Sequence, residues 1–235
     1  MAQGDSLPVA VHLVRHGRVA SHRGDIPITE EGRVEIAAAG RGLAVGLRRD
    51  EDVHFLTTPT RRTKETADVL RASMRAAHGE GAGFLEPREE WAIRNPDLFL
   101  AGRRVEMVST PEAMAGQIPE TGIDAAGVDA VAFFHAFFRS PDRIGYWMAQ
   151  PDPPGEDVTA VARRIVAFCM SLLYVPTHRR RRFVCVTHSP VLRAVLQHYT
   201  HQDPGEPEYG ESIDLHLDPR ESTVTFRGLT MPLRV

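Results

Sequence analysis

Three short runs of strand-forming residues constrain this chain more than any other feature. Residues 9–14, 53–57 and 183–187 are rich in Val, Leu, Phe and Cys. Each is too short for a helix and has the length of a buried strand. The first ends on Arg15-His16-Gly17, a turn signal; the second runs into Thr58-Pro59, the third into His188-Ser189-Pro190. A hydroxyl residue before proline is a helix start, because the hydroxyl caps a backbone N–H and proline needs none. The pattern predicts helices from Thr58 to about Ala77 and from Ser189 to about Tyr199. Thr29 followed by Glu30 and Glu31 predicts another, running toward Arg49. A fourth amphipathic helix is expected over roughly 156–173, after the breaker 151–155, and 224–226 is a candidate last strand.

Strands alternating with helices predict an α/β fold with a mostly parallel central sheet flanked by helices. Ligands of such sheets bind beyond the carboxyl ends of the strands. Arg15, His16, the segment 58–62 and His188 are therefore expected to converge. The 235 residues suit one large domain, 1–235. Glycines 79, 81 and 83 mark a loop. The stretch 84–154, with its prolines and the cluster Phe133, Phe134, Phe137 and Phe138, reads as a helical insertion or cap, about 94–150, over the site.

Composition excludes some classes. With 28 basic against 31 acidic residues, no global field favours nucleic acid or an anionic membrane. The run Arg179 to Arg182 reads as a solvated loop. No stretch approaches the roughly 20 apolar residues of a membrane span, and residues 1–8 lack a leader pattern, so the expectation is a cytoplasmic protein. Cys169 and Cys185 sit in apolar stretches and read as core residues. His198 and His201 lack a carboxylate at metal-ligand spacing, and no metal or cofactor is expected.

The residues at the strand ends suit phosphoryl transfer. That reaction needs a nucleophile, cations around the three outer oxygens, and a proton for the leaving group. Neutral imidazole is nucleophilic near pH 7, and arginine grips phosphate in a planar fork. Two helix starts add backbone donors.

The segment Val11-His12-Leu13-Val14-Arg15-His16-Gly17 resembles the signature of the histidine phosphatase superfamily, which includes cofactor-dependent phosphoglycerate mutase. Further matches follow in order: Asp25 to Gly32, Thr58-Pro59-Thr60-Arg61-Arg62 with Thr66-Ala67, Gly155-Glu156 with Arg163 or Arg164, and Val184-Cys185-Val186-Thr187-His188. The resemblance implies that His16 is phosphorylated, that Arg15 and Arg62 grip the phosphate, and that His188 hydrogen-bonds it, with Ser189 beside it. It also implies a Glu proton donor after the second helix. Glu89, then Glu90, then Glu86 are the candidates; Trp91-Ala92 replaces the usual aromatic-Gly pair. Arg94-Asn95-Pro96-Asp97 reads either as a substrate contact or as a capped turn.

The expected function is a metal-independent phosphomonoester hydrolase acting on a small phosphorylated metabolite. The alternatives are a phosphoglycerate-type mutase and a non-catalytic phosphate-binding module. The small substrate is the only partner expected, with room left for a homodimer.

Overall fold

The computed structural model describes residues 7–21, 24–174 and 177–233. Residues 1–6, part of the stretch read as leaderless, lie outside them.

Strand β1 (Val9–Arg15) leads by a loop to α1 (Glu30–Leu43), β2 (Glu51–Thr57) and α2 (Arg61–His78). Two-residue strands β3 (Gly83–Phe84) and β4 (Arg88–Glu89) follow. The insertion holds the hairpin β5 (Leu98–Leu100) and β6 (Arg103–Val105). After it come four short helices: α3 (Pro111–Ala115), α4 (Ala125–Asp129), α5 (Ala132–Arg139) and α6 (Arg143–Met148). Then come α7 (Val158–Ser171), β7 (Arg180–Thr187), α8 (Ser189–Thr200), β8 (Ser212–Leu217), β9 (Thr223–Phe226) and β10 (Leu229–Pro232).

The main sheet runs β10-β9-β8-β1-β7-β2-β3, with β4 also on β2. Strands β1, β7, β2, β3 and β4 pair in parallel, as expected; β8, β9 and β10 add an antiparallel wing. Only β9 of that wing was foreseen. Alternation along β1 sends Val11 and Leu13 to one face and Val14 to the other. Phe183 and Cys185 of β7 join the first face, packed with α7, α8 and Phe134, Phe137 and Trp147 of the insertion. Val184 and Val186 join Val53 and Phe55 under Ile36 of α1 and Leu70 and Met74 of α2. Each such side chain stabilises the fold by about 1.5–3 kcal/mol when fully buried. Both cysteines are fully buried in the core, and burial pushes the Cys169 thiol up to about 12.

Several expected boundaries shift. Thr29 caps α1, accepting from the Gly32 N–H at 3.1 Å, but the helix ends at Leu43 rather than near Arg49. Thr60, not Thr58, is the N-cap residue of α2, and His188, not Ser189, that of α8. The four-arginine run is not a solvated loop. Arg180, Arg181 and Arg182 open β7, where Arg182 pairs with Glu51 at 3.0 Å and Arg181 donates to the Leu172 carbonyl. Neighbouring acidic residues of β2 make that strand start possible.

The insertion is a mixed structure, not a purely helical one. Ala101 and Gly102 both have positive φ and close the β5–β6 hairpin in a two-residue turn. The hairpin is sealed against the start of α7 at Gly155. A Cβ there would lie 2.1 Å from the Asp97 carbonyl oxygen, so only glycine fits.

Candidate active site

The parallel register brings the strand ends together: Arg15 lies beside Thr187, and Thr57 beside Val186. The residues that follow, His16, Thr58 and His188, emerge at one edge of the sheet. A cavity of about 500 Å³ opens there, lined by Arg15, His16, Arg62, His188 and Ser189 among others.

His16 is held from both sides. Its backbone N–H donates to the Thr187 carbonyl at 3.0 Å, and its Nδ1 lies 2.8 Å from the Gly17 carbonyl oxygen. A carbonyl only accepts, so Nδ1 of the neutral ring carries the proton and Nε2 the lone pair. Gly17 is pinned in turn: its N–H donates to Thr66 Oγ1 of α2 at 2.9 Å. A Cβ on Gly17 would come 2.9 Å from Ile36.

His188 sets its ring across from His16, with centroids 5.3 Å apart and an edge-on arrangement. Its Nε2 contacts Thr58 Oγ1 at 3.0 Å, and Nδ1 lies 3.5 Å from an Arg62 Nη. Arginine can only donate, so His188 accepts at Nδ1 and donates at Nε2. The Thr58 hydroxyl also meets Thr63 Oγ1 at 3.0 Å. That engagement explains why Thr58 does not cap α2.

Arg62 sits in the first turn of α2, half-buried. Its Nε is buried without a hydrogen-bond partner, and no carboxylate among the described residues lies within ion-pairing distance. Burial pushes its guanidinium down from the ordinary value, although the negative charges of Asp25 and Glu106 work against this. Arg15 is 8% exposed and already engaged: it pairs with Glu206 at 2.6 Å, donates to the Pro207 carbonyl, and lies 4.1 Å over the Tyr209 ring. Ser189 lines the cavity, but its hydroxyl donates to Glu206 at 2.6 Å.

The proposed proton donors are elsewhere. Glu89 is exposed on β4 and pairs with Lys64 at 2.6 Å. Glu86 pairs with Arg71, and Glu90 accepts from the Ala92 N–H at 3.1 Å. None of the three lines the cavity; Glu89 sits on β4, which runs alongside β2. The carboxylates that do line it are Asp25, Glu106, Asp142 and Glu206.

Asn95 also lines the cavity, buried, with its Oδ1 unpartnered. Its turn is fastened by Arg164, which pairs with Glu156 at 2.9 Å and donates to the carbonyls of Ala92 and Arg94. Of the two arginines noted in the sequence, Arg164 thus faces inward and Arg163 is exposed. Arg94 and Asp97 pair with each other, so their segment is both a fastened turn and, through Asn95, part of the cavity wall. Glu106 and Glu206 were not foreseen. They stand in loops with no periodicity, and only the pairing of distant segments brings them to the cavity.

Among the described residues no group of three or more metal-ligating side chains occurs, and no helix is long and apolar enough to cross a membrane. Comparison with curated proteins finds no significant match. Solved structures share the fold. A mycobacterial protein described as hydrolase 1 superposes with a TM-score of 0.55 at 16% identity, over 97% of this chain and 98% of its own. Phosphoglycerate mutase from Bacillus anthracis gives 0.51 at 14%, over 98% and 94%. A phosphoserine phosphatase mutant from Entamoeba histolytica, complexed with phosphoserine, gives 0.50 at 12%, over 96% and 95%. The sequence pattern of the histidine phosphatase superfamily (branch 1) matches residues 11–86 and 134–216, and with that match over most of its length the chain belongs to this superfamily.

Proposed function

We propose that this chain is a phosphomonoester hydrolase working through a phosphohistidine on His16. The observation that carries this reading is the oriented imidazole. The Gly17 carbonyl holds the Nδ1 proton and so turns the Nε2 lone pair into a cavity that Arg15, Arg62 and His188 also line. In the first step Nε2 attacks phosphorus, the ester P–O bond breaks, and the leaving oxygen takes a proton from a carboxylic acid. In the second, water attacks the phosphorus, its proton passes to that carboxylate, and His16 leaves. Arg62 and Arg15 neutralise the equatorial oxygens, and His188 donates to them once its Nε2–H turns from Thr58 to the phosphate, with no cation required.

We assign the proton donor to Glu106 in place of Glu89. Three of the cavity's four carboxylates are engaged by strong hydrogen-bond donors. Asp142 is held below its ordinary value chiefly by the hydrogen bond from Arg193. Glu206 lies between Arg15 and Ser189. Asp25 accepts from the Arg61 N–H at 2.7 Å, at the positive end of α2. Among the described residues the Glu106 carboxylate has only a 3.4 Å contact with Arg104, which is mainly engaged with Asp97. It is also near enough to Arg62 for its charge to be felt there.

Met107, Val108 and Ile144 in the same cavity favour hydrolysis over mutase chemistry, since a phosphoglycerate brings a second anion that these side chains cannot pair. The test compares Glu106→Gln and Glu89→Gln on alkyl and aryl phosphates, with excess chelator present. Glu106→Gln is expected to slow alkyl esters at least tenfold more than aryl esters, whose leaving groups need no proton. Selective loss in Glu89→Gln instead, or chelator-sensitive turnover, would overturn the assignment.

A further inference from the structure

The cavity has two chemically different ends. The phosphate end is cationic. Much of the remaining wall comes from the insertion: Met107 and Val108 beyond β6, Phe137 of α5, Pro141, and Ile144 of α6. Phe137 is part of the buried core, while Met107, Val108 and Ile144 pack on that core and still face the cavity. At about 500 Å³ the cavity is in the usual range for an organic ligand and is far larger than a phosphate needs. Arg143 is the only arginine or lysine of this far wall among the described residues. Asp142 stands next to it in the chain and also lines the cavity.

Part of this wall also lies in the stretch 87–133, which the superfamily pattern leaves unmatched. Met107 and Val108 fall in that stretch, whereas Phe137, Pro141 and Ile144 fall in the matched one.

We infer that the chamber selects phosphate monoesters of apolar alcohols, alkyl or aryl, over esters carrying a second anion. The inference rests on the hydrolase reading above. An apolar group entering this wall leaves water and meets Met107, Val108 and Ile144, a gain that grows with each carbon. A glycerate carboxylate would instead be stripped of water against the same apolar side chains.

A homologous series tests this without confusing recognition with leaving-group chemistry, because the n-alkanols differ little in acidity. The intact protein is assayed on ethyl, butyl and hexyl phosphate and on 3-phosphoglycerate. Each methylene that enters the chamber is expected to raise kcat/KM about fourfold, the equivalent of about 0.8 kcal/mol. Hexyl phosphate then exceeds ethyl phosphate by roughly 200-fold if all four added methylenes are buried. 3-Phosphoglycerate should fall below ethyl phosphate. Val108→Asp and the milder Ile144→Ser are expected to flatten the series, with thermal unfolding of each variant beside the wild type as the control for folding.

A flat series with ready turnover overturns this inference alone, as does a preference for 3-phosphoglycerate over butyl phosphate. Turnover of none of the esters overturns the hydrolase reading and this inference with it.

Discussion

Replacing Arg62 by methionine should abolish activity and stabilise the empty protein. Arg62 has a buried Nε without a partner, one long 3.5 Å contact with His188, and no carboxylate within ion-pairing distance among the described residues. A cation in that position has lost water and gained little, which is unfavourable until an anion arrives. Methionine keeps much of the stem and removes the charge. Because Arg62 is only half-buried, the gain should be about 1–2 kcal/mol, the low end for replacing buried charge by apolar volume. For a domain of this size that is a rise in Tm of about 2–8 °C.

Bound phosphate reverses the balance. One guanidinium charge about 4 Å from one phosphate charge is worth about 4 kcal/mol at an effective dielectric of 20. Inorganic phosphate should therefore raise the Tm of the wild type and leave the variant nearly unmoved. The assay is thermal unfolding of both proteins with and without phosphate, beside hydrolysis rates. A variant that melts lower than wild type, or that responds to phosphate equally, would refute the view of Arg62 as an unpaired cation awaiting an anion.

His16→Ala should lose nearly all hydrolysis while melting within a few degrees of wild type; rapid-quench labelling should place an acid-labile, base-stable phosphoryl group on His16, and label elsewhere would reject it as the nucleophile. Arg62→Lys should cost about 2–4 kcal/mol of transition-state stabilisation in kcat/KM, since lysine keeps the charge but not the fork. Burial works to raise the Asp97 carboxyl, but hydrogen bonds and charge from Arg94 and Arg104 outweigh it and hold the group below its ordinary value. Its contribution is then present above the unfolded value of about 4 and lost as pH falls through the lower folded value. Asp97→Asn should lower the urea midpoint by the equivalent of about 2 kcal/mol at pH 7, with the gap closing below about pH 4. Arg193 is 1% exposed and ties Asp142 of the insertion to Asp203 and Glu206, so Arg193→Met should destabilise by about 2–3 kcal/mol in urea unfolding; an unchanged midpoint would mean the tie carries no stability.

The part of the fold written in local patterns is legible from the residues alone. Runs of alternating and β-branched residues define β1, β2 and β7, and the hydroxyl-proline and Gly signals mark where they stop. Strand polarity in a parallel sheet then gathers Arg15, His16, Arg62 and His188 at one edge. Tertiary structure decided what depends on partners far along the chain. Thr58 gives up its capping role because its hydroxyl meets His188, 130 residues away. Arg182 enters a strand because Glu51 is waiting beside it. Glu89, well placed in the sequence, is drawn to Lys64 outside the cavity, while Glu106 and Glu206 arrive from loops whose course no local periodicity encodes. A strand or a cap follows from energies between near neighbours in the chain; the position of a loop carboxylate follows from the packing of everything around it.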